Sequence, residues 1–263
     1  TRVIFHQKLP MGAFIIYDLI GDIHGHASEL VQLLKHLGYR DTEDGFRHAS
    51  RKVIFLGDFI DRGEALAEHK QLLSLVMTMV RSGNALAVMG NHEFNALAYH
   101  TYVDGQPLRP HSQKNKKQHQ AFLNEFDGDP QAKSEVLNFF FELPLWLELD
   151  GMRVVHACWD DLSIESLMES NYGPRMTHDL LVKASNPDLP EYKSVETLLK
   201  GFEVSLPSGI NFLDKDGNRR YAVRVQWWKQ NPINLGDMAL PVGVNIGKAS
   251  SMKPPDGIPR YDL

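Results

Sequence analysis

The chain has 263 residues, 43% apolar and 23% charged, which supports a substantial core in one large domain or two modest ones. Its net charge of −5 implies no basic face, so nucleic acid is not expected as a partner. No run approaches the roughly 18 uninterrupted apolar residues of a membrane span. No membrane partner is therefore expected, and the single cysteine, Cys158, excludes an internal disulfide and fits a reducing, cytoplasmic compartment.

Residues 1–10 read as a leader or tag-like segment, because the chain opens on Thr1 and Met11 stands directly before the first strand. Residues 13–20 form a buried strand, and 27–37 a helix with Leu30, Val31, Leu33, Leu34 and Leu37 at helical spacing, stopped by Gly38. A second strand over 52–56 precedes a long helix over 64–81, ended by Gly83. A third strand covers 85–89 and a short helix 94–99. Strands alternating with helices argue an α/β layered fold with part of the sheet parallel. Residues 103–120, rich in Gly, Pro, Gln, Lys and His, read as a solvated loop at the rim of the site. The alternative is that Lys114, Lys116 and Lys117 meet an anionic substrate. Helical spacing returns over 120–126 and 134–141, and 145–156 reads as a hairpin turning at Asp150-Gly151. Further helices are expected over 161–168 and 194–204, and a second hairpin over 212–228 turning at Asp216-Gly217. Asp214, Asp216 and Asn218 imitate the start of a calcium loop, but its twelfth position is Val225 rather than Glu, so the turn reading is preferred.

Four strand ends carry the chemistry. They run into Gly21-Asp22-Ile23-His24-Gly25, Gly57-Asp58-Phe59-Ile60-Asp61-Arg62-Gly63, Gly90-Asn91-His92-Glu93 and His156-Ala157. In open α/β sheets, ligands collect beyond the carboxyl ends of the strands. Asp22 and His24 lie two apart and can turn to one ion. Asp58 can bridge two ions, Asn91 offers an amide oxygen and His156 an imidazole. Such mixed ligands suit divalent Mn, Fe, Zn or Mg. Two ions about 3.5–4 Å apart would clamp a phosphoryl group and turn water into a nucleophile. The flanking glycines permit sharp turns and close backbone approach. Ordinary turn and cap chemistry is the bland reading of any one block, and the four together argue against it.

These four blocks, in this order across residues 21–157, resemble the calcineurin-like metallophosphoesterases, in particular the branch holding phosphoprotein phosphatases and bacterial diadenosine tetraphosphate hydrolases. The resemblance implies a four-layer α/β/β/α sandwich forming one domain over residues 11–263. It implies two divalent ions, Mn²⁺ first, with Fe, Zn, Mg or Ni as alternatives. Asp22, His24 and Asp58 would hold one ion, and Asp58, Asn91 and His156 the other. His92 would protonate the leaving oxygen, oriented by Asp61, while Arg62, with Asn91, binds the phosphate. Arg224, between Val223 and Val225, would be a second phosphate arginine or simply sit on a solvated strand face. The expected substrate is a phosphorylated protein or a small phosphate ester. Serine/threonine dephosphorylation is the first choice and diadenosine polyphosphate hydrolysis the second. A non-catalytic phosphate-binding module with an incomplete second metal site is the alternative of another class.

The family pattern calls for a further histidine after His156. Only His178 follows, and residues 179–263 contain none. The expectation is a chain truncated at its C-terminus, the missing ligand lying beyond Leu263, with His178, water or a neighbouring chain as substitutes. The other histidines, His100 and His119 among them, default to solvated surface, although His26 is close enough to His24 to line the site. Cys158 is expected to pack rather than react, because no Cys-x5-Arg loop is present. No dinucleotide-binding glycine fingerprint or P-loop occurs.

Overall fold

The computed structural model of the chain describes residues 4–8, 14–62, 67–214 and 217–259. Its central sheet aligns β1 (Ile4–Lys8), β2 (Phe14–Ile20), β3 (Arg51–Phe55) and β4 (Ala85–Ala87) in that order. The segment expected as a leader thus contains β1, antiparallel to β2. Strands β2, β3 and β4 are parallel, and α1 (Ala27–His36) and α2 (His69–Arg81) make the crossovers. Their carboxyl ends therefore open on one edge of the sheet, where the motif loops begin.

The alternation of the strands sorts their side chains into two cores. Ile20, Val53, Phe55, Ala85 and Ala87 pack with the helices. Those helices include α3 (Asn91–His100) and, after the small hairpin of β5 (Tyr102–Val103) and β6 (Gln106–Pro107), α4 (Gln113–Phe126) and α5 (Pro130–Glu142). Tyr17, Ile54 and Val88 face the other way, onto Met152 and Val154 of an antiparallel hairpin, β7 (Trp146–Leu149) and β8 (Met152–Val155). This hairpin turns at Asp150-Gly151 as expected, with Gly151 at φ +74°. Burial of each large apolar side chain in these layers contributes about 1.5–3 kcal/mol. The mixed α/β fold with apposed sheets is the one expected, and the hairpin exposes Glu148 and Arg153 on its far face.

Helices α6 (Asp161–Glu169), α7 (His178–Ala184) and α8 (Pro190–Lys200) follow, α8 packing against both of the others. Gly201, at φ +98°, ends α8. Helix therefore does not continue over 201–204 as expected. Instead β9 (Glu203–Ser205) joins β12 (Ala222–Val225). The second expected hairpin is shorter than predicted, pairing only β10 (Phe212–Leu213) with β11 (Arg219–Arg220). Asp216 in its turn lies outside the described residues, and Asn218 N–H donates to Asp214 Oδ1 at 2.8 Å as in an ordinary turn. A separate small core holds β9, β12, α9 (Leu235–Met238), β13 (Ala239–Leu240) and a 3-10 helix at Gly247–Ser251.

Helices α2 and α4 also depart from expectation, for identifiable reasons. Helix α2 begins at His69; Leu66 lies outside the described residues. Glu68 is used as an acceptor for Ser28 N and Oγ, at 2.9 and 2.7 Å. The first N–H groups of α2 need a partner from elsewhere, and Glu125 of α4 supplies it to His69 N and Lys70 N, at 2.8 and 3.0 Å. Residues 113–120, expected as loop, are the first turns of α4, capped by Ser112 Oγ, which accepts from Asn115 N at 3.2 Å. Lys114, Lys116 and Lys117 lie on its exposed face, while His119, Phe122 and Phe126 are buried at helical spacing.

Candidate metal centre

The motif loops are stitched together through their backbones. Ile23 N and His24 N both donate to the Asp58 carbonyl at 3.0 Å, and Gly25 N donates to Phe59 O at 2.8 Å. Glu93, fully buried at the start of α3, accepts from Asp58 N and Gly90 N through one oxygen and from Phe59 N through the other, at 2.8, 2.9 and 2.8 Å. Burial and the charge of Asp58 push the Glu93 carboxyl up, and the backbone N–H bonds from Asp58 and Phe59 oppose them. The glycines matter for space. A Cβ on Gly57 would stand 2.3 Å from Gly90 N, and one on Gly90 would stand 2.3 Å from Asp58 Oδ1. Among the described residues, His24, Asp58, Asp61 and Arg62 all hold positive φ, from +46° to +70°. Left-handed backbone on non-glycine residues costs of order 1–3 kcal/mol each and collects where surrounding structure imposes it.

Asp58 is the hub. Its Oδ1 accepts from His92 N at 3.0 Å. Around the same carboxylate stand His24 Nε2 at 3.9 Å, His92 Nε2 at 3.9 Å and His156 Nε2 at 3.6 Å, with Asp22 3.7 Å from His24 Nε2. These separations are too long for hydrogen bonds. Two ligands each about 2.0–2.2 Å from one cation are spaced in this way. The donor atoms form two groups, His24 with Asp58 and His92, and Asp22 with Asp58 and His156, each within 4.8 Å. Asp58 belongs to both, as a bridging carboxylate would. The grouping differs from the expected one in setting Asp22 beside His156, although Asp22 also reaches His24. Asn91 opens α3 directly before His92 and is half-buried.

The tautomers follow from the partners, because a carbonyl or carboxylate oxygen only accepts. His24 Nδ1–H donates to Ile60 O at 2.8 Å and His156 Nδ1–H to Leu56 O at 2.5 Å. Each therefore turns a bare Nε2 lone pair toward Asp58, the arrangement that orients metal-ligating imidazoles. His24 Nε2 is buried without a hydrogen-bond partner. Such an orphan costs about 1–3 kcal/mol unless something else meets it, and a divalent cation fits this donor set. Burial pulls the His24 imidazole down, but Asp22, the Ile60 carbonyl and Asp58 outweigh it and hold the imidazole above its ordinary range. The Asp22 carboxyl is held low, first by the His24 imidazole beside it, with help from the charges of His156 and Arg62 against burial.

His92 is placed differently: its Nδ1–H donates to Asp61 Oδ2 at 2.7 Å. Asp61 is 3% exposed and its carboxyl stays low despite burial, because hydrogen bonds from His119 and His92 favour its charge. Arg62 is exposed, with its charge acting on both Asp22 and His24. Arg224 is not brought to this cluster. It lies on the open face of β12, 3.9 Å from Glu203 across the strand pair, as the solvated-face reading expects. His178 is exposed at the first residue of α7 and belongs to neither donor group. His26 is exposed and pairs with Glu29 at 3.4 Å. Cys158 is buried, and burial pushes its thiol up to about 12, so it packs.

His119 was expected at the surface and is instead 4% exposed, its Nδ1 2.9 Å from Asp61 Oδ1. The spacing of His119, Phe122 and Phe126 is the sequence signal that could have revealed it, masked by the Lys and Gln of the outer face.

A family model described as calcineurin-like phosphoesterase matches residues 17–206. A bis(5'-nucleosyl)-tetraphosphatase PrpE (asymmetrical) of Oceanobacillus iheyensis is 28% identical over 141 residues, 53% of this chain and 54% of that protein. The serine/threonine-protein phosphatase PP2A-like PPG1 of Candida albicans is 26% identical over 148 residues, 56% of this chain and 29% of that protein. The chain thus spans about half the length of the first of these relatives and less of the second. A cold-active protein-tyrosine phosphatase of Shewanella, 16% identical, aligns with a TM-score of 0.40 over 73% of this chain and 55% of that one. No helix among the described residues is long and apolar enough to cross a membrane. With the family model matching most of its length and the four motif loops gathered around Asp58, the chain belongs to the calcineurin-like phosphoesterases.

Proposed function

We propose that this chain hydrolyses phosphate esters, holding divalent ions with Asp22, His24, Asp58, Asn91 and His156. The observation that carries the reading is Asp58, shared by both donor groups and flanked by an imidazole backed by a buried carboxylate. Bound ions supply positive charge for the phosphoryl oxygens and a nucleophile from water at neutral pH. The protein groups do the rest. Arg62, exposed beside Asp22 and His24, binds the phosphate oxygens as a planar guanidinium does. His92 keeps Nδ1–H on Asp61, so its Nε2 carries the proton given to the leaving oxygen. The ionised Asp61 stabilises the charged imidazole from which that proton departs.

Manganese is the proposed metal, because mixed carboxylate, amide and imidazole donors suit it, with Fe, Zn, Mg or Ni as alternatives. A phosphorylated serine or threonine of a protein is one proposed substrate. Diadenosine polyphosphate hydrolysis is the other, supported by the bis(5'-nucleosyl)-tetraphosphatases among the relatives. We further propose that residues 11–263, with β1 added to the central sheet, act as one domain and, from the lone buried thiol, that the protein is cytoplasmic.

The test is hydrolysis of p-nitrophenyl phosphate with added Mn²⁺, then of a phosphoserine peptide and a dinucleoside tetraphosphate. The reading expects Mn²⁺-dependent turnover that His92→Asn lowers by about 10²–10⁴-fold while metal content is kept. Bound metal with no turnover on any substrate would favour a phosphate-binding module.

A further inference from the structure

The carboxylate behind His92 has a second imidazole on its other oxygen. Asp61 Oδ2 accepts from His92 Nδ1–H at 2.7 Å and Oδ1 from His119 Nδ1–H at 2.9 Å. His119 comes from α4, and its own Nε2 lies 3.2 Å from Nε2 of His100, the last residue of α3. One proton must occupy that gap. Either His100 donates to a neutral His119, or a protonated His119 donates to His100. The ring of His119 is fixed by packing, stacked on Phe122 at 4.7 Å and 14° and tilted against Tyr99 at 5.0 Å. Burial, followed by the charge of His119, pulls His100 down to about 4, so His100 is neutral near pH 7.

From this geometry we infer that His119, backed by His100, is a positioning residue for the proton-donating step. It pins the Asp61 carboxylate so that His92 keeps its Nδ1–H tautomer and its Nε2 faces the Asp58 hub. This rests on His92 being the proton donor. A carboxylate held through one oxygen can swing about its χ2 and carry the imidazole with it. Held through both oxygens by rings from two helices, it cannot. The chain His92–Asp61–His119–His100 ties both ends of α3 and the middle of α4 to the loop after β3, far apart in sequence.

The experiment compares phenyl phosphate, whose basic leaving oxygen needs a proton, with p-nitrophenyl phosphate, whose weakly basic one scarcely does. The full chain is assayed with Mn²⁺, and metal content and KM are measured alongside. His119→Phe keeps the stacked ring and removes the donor. Turnover of phenyl phosphate should fall roughly ten- to hundredfold, p-nitrophenyl phosphate much less, with KM and metal content unchanged. His119→Asn, whose amide N–H takes the Nδ1 position, should recover most of the loss, and His119→Gln, which reaches toward His100 instead, should not. If His119→Phe does not fold, the Asn and Gln variants carry the test between them. Proton NMR of the metal-free protein gives a readout independent of turnover, since in His119→Phe one downfield imidazole N–H resonance should vanish and that of His92 should broaden or move upfield as its Asp61 partner loosens, whereas an unchanged His92 resonance would count against the inference. Equal losses on both substrates, or no loss, would overturn the inference. His92→Asn run in parallel separates the two claims. Selectivity there but not in His119→Phe removes His119 alone, and no selectivity there removes the proton-donor reading and this inference with it.

Discussion

Replacing Glu93 by glutamine should loosen the Asp58 loop without emptying the core. The carboxylate accepts three backbone N–H groups, from Asp58 at 2.8 Å, Phe59 at 2.8 Å and Gly90 at 2.9 Å, in a fully buried position. A glutamine offers one oxygen and one NH2. Its oxygen can keep the pair from Asp58 and Gly90, which leaves the NH2 facing the Phe59 N–H. One charge-assisted bond, worth about 1.5–3 kcal/mol, is lost, and a buried donor is stranded. Relief of the repulsion between Glu93 and Asp58 offsets part of this. A net loss of about 3 kcal/mol is expected, a fall in Tm of roughly 6–10 °C at this chain length. Because the bond from Asp58 N–H to Glu93 helps hold Asp58 at φ +55°, Mn²⁺ affinity should fall too. Calorimetric unfolding and Mn²⁺ titration of the variant measure both. A Tm within about 1 °C of the parent's, with unchanged affinity, would refute the claim that Glu93 holds the loop.

Gly57→Ala should destabilise by about 2–4 kcal/mol, since its methyl would meet Gly90 N at 2.3 Å from a backbone at φ +87°. Gly21→Ala, with nothing within 4 Å, should stay within about 0.5 kcal/mol, and urea unfolding of the two variants checks the contrast. His100, lowered from 6.5 to about 4 by burial and then His119, gives a pH dependence of stability. Its folded value lies below its unfolded one, so the unfolded chain binds more protons between them. Its contribution is full above pH 6.5 and is lost as pH falls toward 4. Discounted for partial exposure, about 1–2 kcal/mol is at stake. His100→Phe, set beside the remaining charges of His119, Lys133, Asp127 and His111, should flatten the unfolding curve over that window.

The parallel strands and the motif loops were legible in the sequence because each rests on local pattern. Leu19-Ile20, Phe55-Leu56 and Val88-Met89 announce strands, and Asp22, Asp58 and Asn91 mark the turns that leave them. The hairpin of β7 and β8 was legible for the same reason, through Asp150-Gly151. What escaped depends on tertiary partners. Helix α4 hid behind Lys114, Lys116 and Lys117, and its start needs Ser112, while α2 takes its first acceptors from Glu125, 56 residues away. His119 escaped because its meaning comes only from Asp61, 58 residues distant. The pairing of Arg224 with Glu203 likewise depends on a register that alternation alone does not fix.

The claim on which everything turns is that Asp58 serves two metal sites at once. Metal content of the purified chain saturated with Mn²⁺, and of Asp58→Asn treated alike, tests it directly by mass spectrometry of metal per folded chain. Two ions per chain are predicted for the parent and none retained by the variant, with helical content unchanged by circular dichroism. An Asp58→Asn protein that keeps both ions, or a parent that binds none, would contradict the account.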